Sequence, residues 1–190
     1  MANIPECVRR RMISDELRDM FEATIQERVN RHLEVSPREI TANHHFTKPL
    51  VECDLLYRDG YFYSTVMVAQ SVAEGISRFV AERNGLGLGK KLIGPKIVDH
   101  LVDKKLISKE YEDAFNRLWE TRNDLHHMNP EVGDICFLPL AKRSIQDLAA
   151  IEREIFAGSW SNDGRFNPTH PKYWDTREDG KMGAFLRLSP

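Results

Sequence analysis

The chain has 190 residues, of which 41% are hydrophobic and 29% charged, and a formal net charge of −2; that suits one domain, or one domain with an extension, around a real core. It excludes a strongly basic nucleic-acid binder, so any RNA contact has to come from a local basic patch. Cys7, Cys53 and Cys136 are odd in number and far apart, which points to neither a disulfide framework nor a zinc site and fits a reducing compartment.

The N-terminus, Met-Ala-Asn-Ile-Pro-Glu-Cys, lacks the apolar core of a signal peptide. No run of about eighteen apolar residues exists, so no membrane span is expected and a cytoplasmic location is. Ser14, Asp15 and Glu16 give a helix start with carboxylates in the first turn. Leu17, Met20, Phe21, Ile25 and Val29 then recur at helical spacing, predicting a helix from Ser14 to about His32. Residues 36–60 show no clear period: Asn43-His44-His45 and Lys48-Pro49 read as loop, and Asp59-Gly60 as a turn.

The clearest helix runs from Tyr61 to about Arg83, with Phe62, Val66, Ala69, Ala73, Ile76 and Val80 in one stripe and Asn84-Gly85 closing it. The glycine-rich stretch up to Lys90-Lys91 has the wrong spacing for a phosphate loop and reads as a flexible connector. A short helix fits Pro95–Lys104. Ser108 caps a longer one, with Glu110 and Glu112 in its first turns, which runs to Met128 and is bounded by Asn129-Pro130. Ala141–Phe156 makes the last helix, stopped by Gly158. From Ser159 on, Asn162, Gly164, Pro168, Pro171 and Gly180 predict an irregular tail. Its Trp160, Phe166, Tyr173, Trp174 and Phe185 are too aromatic for simple disorder, so the tail is expected to dock on its own domain or on a partner. The expected organisation is all-α: a bundle of about four to five helices over residues 1–158, then an irregular aromatic-rich extension over 159–190.

In the helix from Ser108, Tyr111, Phe115, Leu118 and Leu125 form one apolar stripe, with Arg122 in its middle and His126 on the same side. A guanidinium is permanently charged and costly to bury unpaired. Arg122 is therefore paired inside the core, reaches the surface, or faces a cleft between chains. A histidine beside such a stripe is most simply a structural one.

The string Trp119-Glu-Thr-Arg122-Asn123-Asp124-Leu125-His126-His127 contains Arg-Asn-x-x-x-His, which resembles the R-x(4–6)-H motif of the HEPN family. A small loop ending in Gly60, followed by a long alanine-bearing helix with an internal Glu74, is similar to the family as well. The resemblance covers about residues 50 to 157. It implies a HEPN-like helical domain whose two motifs meet across the two-fold axis of a homodimer, and a metal-independent endoribonuclease site built from Arg122, Asn123 and His127. Family members often act as toxins or in antiviral defence, so RNA is the implied substrate, and an antitoxin or other regulatory protein a candidate partner.

The chemistry suits these residue types. RNA carries its own nucleophile, the 2′-hydroxyl; a histidine can take its proton or supply one to the leaving 5′-oxygen, and an arginine can hold the phosphate through its added charge. No cofactor and no metal are expected, since neither a Cys pair nor His-Glu-x-x-His is present. On a regular helix His126 lies about 40° and His127 about 140° from Arg122; the family spacing ranks His127 first and leaves His126 as the alternative. Some relatives carry a modifiable tyrosine two residues after the histidine; here that position is Asn129. Arg9-Arg10-Arg11, His44-His45 and Glu74 are further candidates, each read more simply as a solvated terminus, an exposed loop pair and a surface salt bridge. The rival reading is a non-catalytic HEPN-like dimerisation module that binds RNA, nucleotide or a protein partner.

Overall fold

A buried helix, α3 (Phe62–Arg83), organises the fold; in the computed structural model, which describes residues 4–35, 40–87, 93–176, 178 and 182–187, four of the other helices pack directly against it. Its stripe from Val66 through Ala69, Ala73, Ile76 and Val80 is buried as the periodicity predicts, with Phe62 at its half-covered end. Against it lie α2 (Thr47–Asp59), α4 (Gly94–Asp103), α5 (Lys109–Trp119) and α7 (Phe137–Ile155). Tyr57, Tyr111, Phe115, Ile151 and Phe156 fill the space between them. Tyr111 can be buried because its hydroxyl is 2.9 Å from Ser77 Oγ, which in turn donates to the Ala73 carbonyl. The chain is thus mostly helical, and among the described residues no helix is long and apolar enough to cross a membrane.

Four boundaries differ from the sequence expectation. Residues 47–59 form α2 rather than a loop. Pro49 sits in its first turn, where the missing N–H has no intrahelical partner to lose. Leu50, Cys53 and Tyr57 then supply a buried stripe at spacings of three and four. Gly60 ends the helix in the left-handed conformation, at φ 89°, which a side chain would disfavour. The first helix, α1 (Glu6–Val35), starts at Glu6 rather than Ser14. The last, α7, starts at Phe137 rather than Ala141, with Pro139 tolerated in its first turn. The predicted Ser108–Met128 helix is two helices, α5 and α6 (Arg122–His127), separated at Glu120-Thr121. The Lys90-Lys91 stretch lies outside the described residues.

The tail is not wholly irregular. Strands β2 (Gly158–Trp160) and β3 (Phe166–Pro168) form a hairpin, and β4 (Ala184–Leu186) pairs antiparallel with β1 (Ile40–Ala42). Tyr173 and Trp174 are buried in the common core, so the tail docks on its own domain. Polar contacts hold it there. His44 Nε2 lies 3.1 Å from the Tyr173 carbonyl, Asn84 Nδ2 donates to the Tyr173 hydroxyl at 3.0 Å, and Arg83 pairs with Asp175. Arg187 reaches Glu152 at 2.9 Å and Asp54 at 3.4 Å. Burial pushes the Asp54 carboxyl up to about 6, against the pull of Arg187.

Candidate functional site

The site forms where α5 stops and α6 begins. In an unbroken helix the Leu118 carbonyl would receive the Arg122 N–H. Here the buried Gln70 of α3 donates to that carbonyl at 2.8 Å, so the break leaves no orphan there. Gln70 Oε1 itself has no hydrogen-bond partner among the described residues. Downstream, Tyr63 of α3 donates to the Leu125 carbonyl at 2.9 Å, and Leu125 is fully buried. The short α6 is therefore anchored through the Leu125 side chain and the hydrogen bond from Tyr63, while Gln70 holds the last turn of α5. Met128 closes it in the left-handed conformation, at φ 51°, unusual for a side-chain-bearing residue, and Asn129 Nδ2 donates to Asp124 Oδ1 at 2.8 Å.

The break removes Arg122 from the apolar stripe in which a continuous helix would place it. Its guanidinium lies over the Trp119 ring, 4.5 Å from the centroid, an attraction between cation and π-face. Arg122 is half-buried and makes no ion pair with any described residue. Trp119 in turn stacks on Phe115, with ring centroids 5.4 Å apart and planes 16° apart. The stack needs Gly94 beneath it: a Cβ at that position would fall 2.6 Å from Trp119 ring carbons and 2.9 Å from Phe115.

Asn123, His126 and His127 are exposed on α6. Partial burial, then the positive Arg122 and then His127, lower the His126 pKa below the ordinary histidine value, and Glu74 opposes them. Arg122, His126, His127 and Glu74 therefore share one electrostatic neighbourhood, and His126 is biased towards the neutral imidazole that can accept a proton. Glu74 is held by Arg78 at 2.7 Å, the helix-surface salt bridge expected for it. Beside Thr121 a cleft of about 420 Å³ opens, lined by Ile135, Cys136, Pro139, Leu140 and Arg143.

The remaining candidates lie elsewhere. His44 packs against Phe79, ring centroids 4.2 Å apart, and helps seat the tail, while His45 is exposed beside Phe46. Arg9, Arg10 and Arg11 are on the exposed end of α1. The sequence reading gave no role to Trp119, Gln70, Tyr63 or Gly94. An aromatic three residues before an arginine on a helix is a readable signal for the first. A glutamine inside an apolar stretch is one for the second. Tyr63 and Gly94 give none, because their partners are distant in sequence. Among the described residues no group of three or more His, Cys, Asp or Glu side chains is placed to hold a metal ion. Compared with protein-family models, curated proteins and solved structures, the chain matches none.

Proposed function

We propose that this protein is a HEPN-like endoribonuclease that cleaves RNA through the 2′-hydroxyl of its substrate. The observation that carries the reading is Arg122: a cation that meets no carboxylate among the described residues, seated over the Trp119 ring, with two histidines one turn further along the same short helix. An arginine already paired would have to give up its partner to bind a phosphate. This one offers its planar fork to an incoming phosphodiester. A histidine biased towards the neutral form, as His126 is by burial and by Arg122, takes the 2′-hydroxyl proton. The 2′-oxygen attacks phosphorus, the bond to the 5′-oxygen breaks, and a protonated imidazole returns a proton to the leaving oxygen. The products are a 2′,3′-cyclic phosphate and a 5′-hydroxyl. His126 and His127 share the base and acid roles; the family spacing favours His127, the electrostatics favour His126 as base. Self-association that brings two copies of α6 together supplies a second Arg122 and a second histidine pair. Asn123 orients the phosphate or an imidazole.

The test is end-group analysis of RNA incubated with the purified protein. Cyclic-phosphate and 5′-hydroxyl termini that persist in excess EDTA and disappear with Arg122→Ala support the reading. Products with 5′-phosphate ends, or cleavage that stops with chelator, contradict it. The net charge of −2 favours the second reading, a non-catalytic dimerising module; RNA bound with Arg122-dependent affinity but never cut is its signature. A toxin or defence role, with an antitoxin as partner, rests on the family resemblance.

A further inference from the structure

The surroundings of position 70 call for an apolar side chain. Val66, Ala73 and Ser77 share its face of α3 and are buried, and Gln70 itself is 1% exposed. An unbranched apolar residue of the same length would fill that space without any polar group to satisfy. The amide that is present is only half satisfied. Its Nε2 donates to the Leu118 carbonyl at 2.8 Å and lies 3.5 Å from Thr121 Oγ1, while Oε1 has no partner among the described residues. A buried acceptor without a partner is destabilising. What Gln70 supplies in return is a donor at the Leu118 carbonyl.

That donor falls where α5 and α6 part. The Glu120 N–H still reaches the Asn116 carbonyl at 3.0 Å, and the Leu125 N–H reaches the Thr121 carbonyl at 3.1 Å. Between them, the Thr121 and Asp124 N–H groups make no backbone hydrogen bond among the described residues. The joint Trp119-Glu120-Thr121-Arg122 contains neither proline nor glycine, the usual sequence causes of a sharp break. A side chain inserted into the ladder is another cause, and Gln70 is the side chain found there. The consequence falls on Arg122. It stands four residues after the buried Leu118 and three before the buried Leu125, so a continuous helix would turn it towards the core with them. At the broken joint it is half-buried over the Trp119 ring, 4.5 Å from the centroid.

We infer that Gln70 is the positioning residue of the site: by occupying the Leu118 carbonyl it keeps α5 and α6 apart and holds Arg122 on the Trp119 ring. The effect on cleavage rests on the ribonuclease reading; the placement of Arg122 does not. Gln70→Met in the full chain, close in length but without a donor, tests it. The ladder should close across the joint, so amide hydrogen exchange at Thr121 and Asp124 should slow about tenfold, the scale of one regained backbone hydrogen bond. Mere loosening of the fold would do the opposite and speed exchange there and along α3. Arg122 should leave its seat, so its side-chain protons, shifted upfield by the Trp119 ring in the unaltered chain, should return to ordinary positions by NMR. Gln70→Asn, whose amide is one methylene short of Leu118, should behave alike and serves if Gln70→Met does not fold. Where RNA is cut, kcat should fall about 10²-fold, the scale of a misplaced catalytic group, with little further loss when Gln70→Met is added to Arg122→Ala. Unchanged or faster exchange at Thr121 and Asp124, or Arg122 protons that keep the ring shift, would overturn the proposal whether or not the protein cuts RNA. Slowed exchange and a lost ring shift with undiminished cleavage would support the placement by Gln70 and sink the ribonuclease reading of Arg122 instead.

Discussion

Two arginines five residues apart show the difference between a residue spent on the fold and one left over. On α5, Arg117 grips the buried Asp147 through two nitrogens, the shortest contact being 2.6 Å. That pair ties α5 to α7, and its carboxylate raises the Arg117 pKa further. On α6, Arg122 rests on an aromatic ring and meets no described carboxylate. Both are cations on the same stretch of chain, and composition cannot tell them apart. What separates them is the break at Glu120-Thr121, beyond which Arg122 is half-buried and Asn123, His126 and His127 are exposed. A charge answered by a buried partner stabilises; under the proposed function, the unanswered charge near His126 is the one that meets the phosphate.

The sharpest way to break this comparison is to exchange the losses. Arg122→Ala should reduce RNA cleavage about 10²–10³-fold, the usual cost of removing a transition-state charge contact, while the midpoint of chemical unfolding stays where it is. Arg117→Ala should do the reverse. It leaves the Asp147 carboxylate buried without its partner, at a cost of about 1–3 kcal/mol of stability, and single-turnover cleavage by the folded protein should stay within a few-fold. If Arg117→Ala abolishes cleavage and leaves stability untouched, the division between the two is wrong.

Gly94→Ala sharpens the comparison from below. The added Cβ collides with the rings of Trp119 and Phe115, so the seat of Arg122 shifts at about 1–3 kcal/mol. Quenched or shifted Trp fluorescence and reduced cleavage should appear together. A smaller effect reads the local field directly. By NMR, His126 should titrate below the ordinary histidine value. Arg122→Gln removes a positive neighbour and should raise its midpoint, whereas Glu74→Gln removes a negative one and should lower it. Opposite signs would show that His126 does not share the field of Arg122.

Away from the site, the tail clamp gives a contrast in pH. The Asp54 carboxyl is raised to about 6 in the folded protein, against about 3.9 unfolded. Its contribution is therefore fully present below about pH 4 and lost as pH rises through 6. Asp54→Asn should flatten that part of the stability profile, compared by urea unfolding at pH 5 and pH 8.

The parts of the fold legible in the sequence are those where local pattern and burial agree. The stripe of α3 reads correctly because its period, its end at Asn84-Gly85 and its packing point the same way. α2 was hidden by Pro49, whose effect depends on whether it falls in a first turn or an interior. The division of α5 from α6 has no local cause in the sequence; it is stabilised by Gln70, nearly fifty residues upstream, satisfying the Leu118 carbonyl. α1 shows the converse. Its apolar spacing correctly gives a helix, but spacing cannot say whether a ridge meets its own domain. In the site, the motif residues could be named from the string alone, whereas the Trp119 platform, the Gly94 seat and the freedom of Arg122 depend on contacts between distant segments.

The central claim, that substrate RNA supplies the nucleophile to a site built on Arg122 and the two histidines, is tested most directly with one atom. An RNA containing a site cut by the purified protein is compared with the same strand carrying a single 2′-deoxy nucleotide immediately 5′ to that cut. The account predicts that this cut alone disappears while neighbouring cuts and binding persist. Cleavage of the deoxy strand at that position would contradict it.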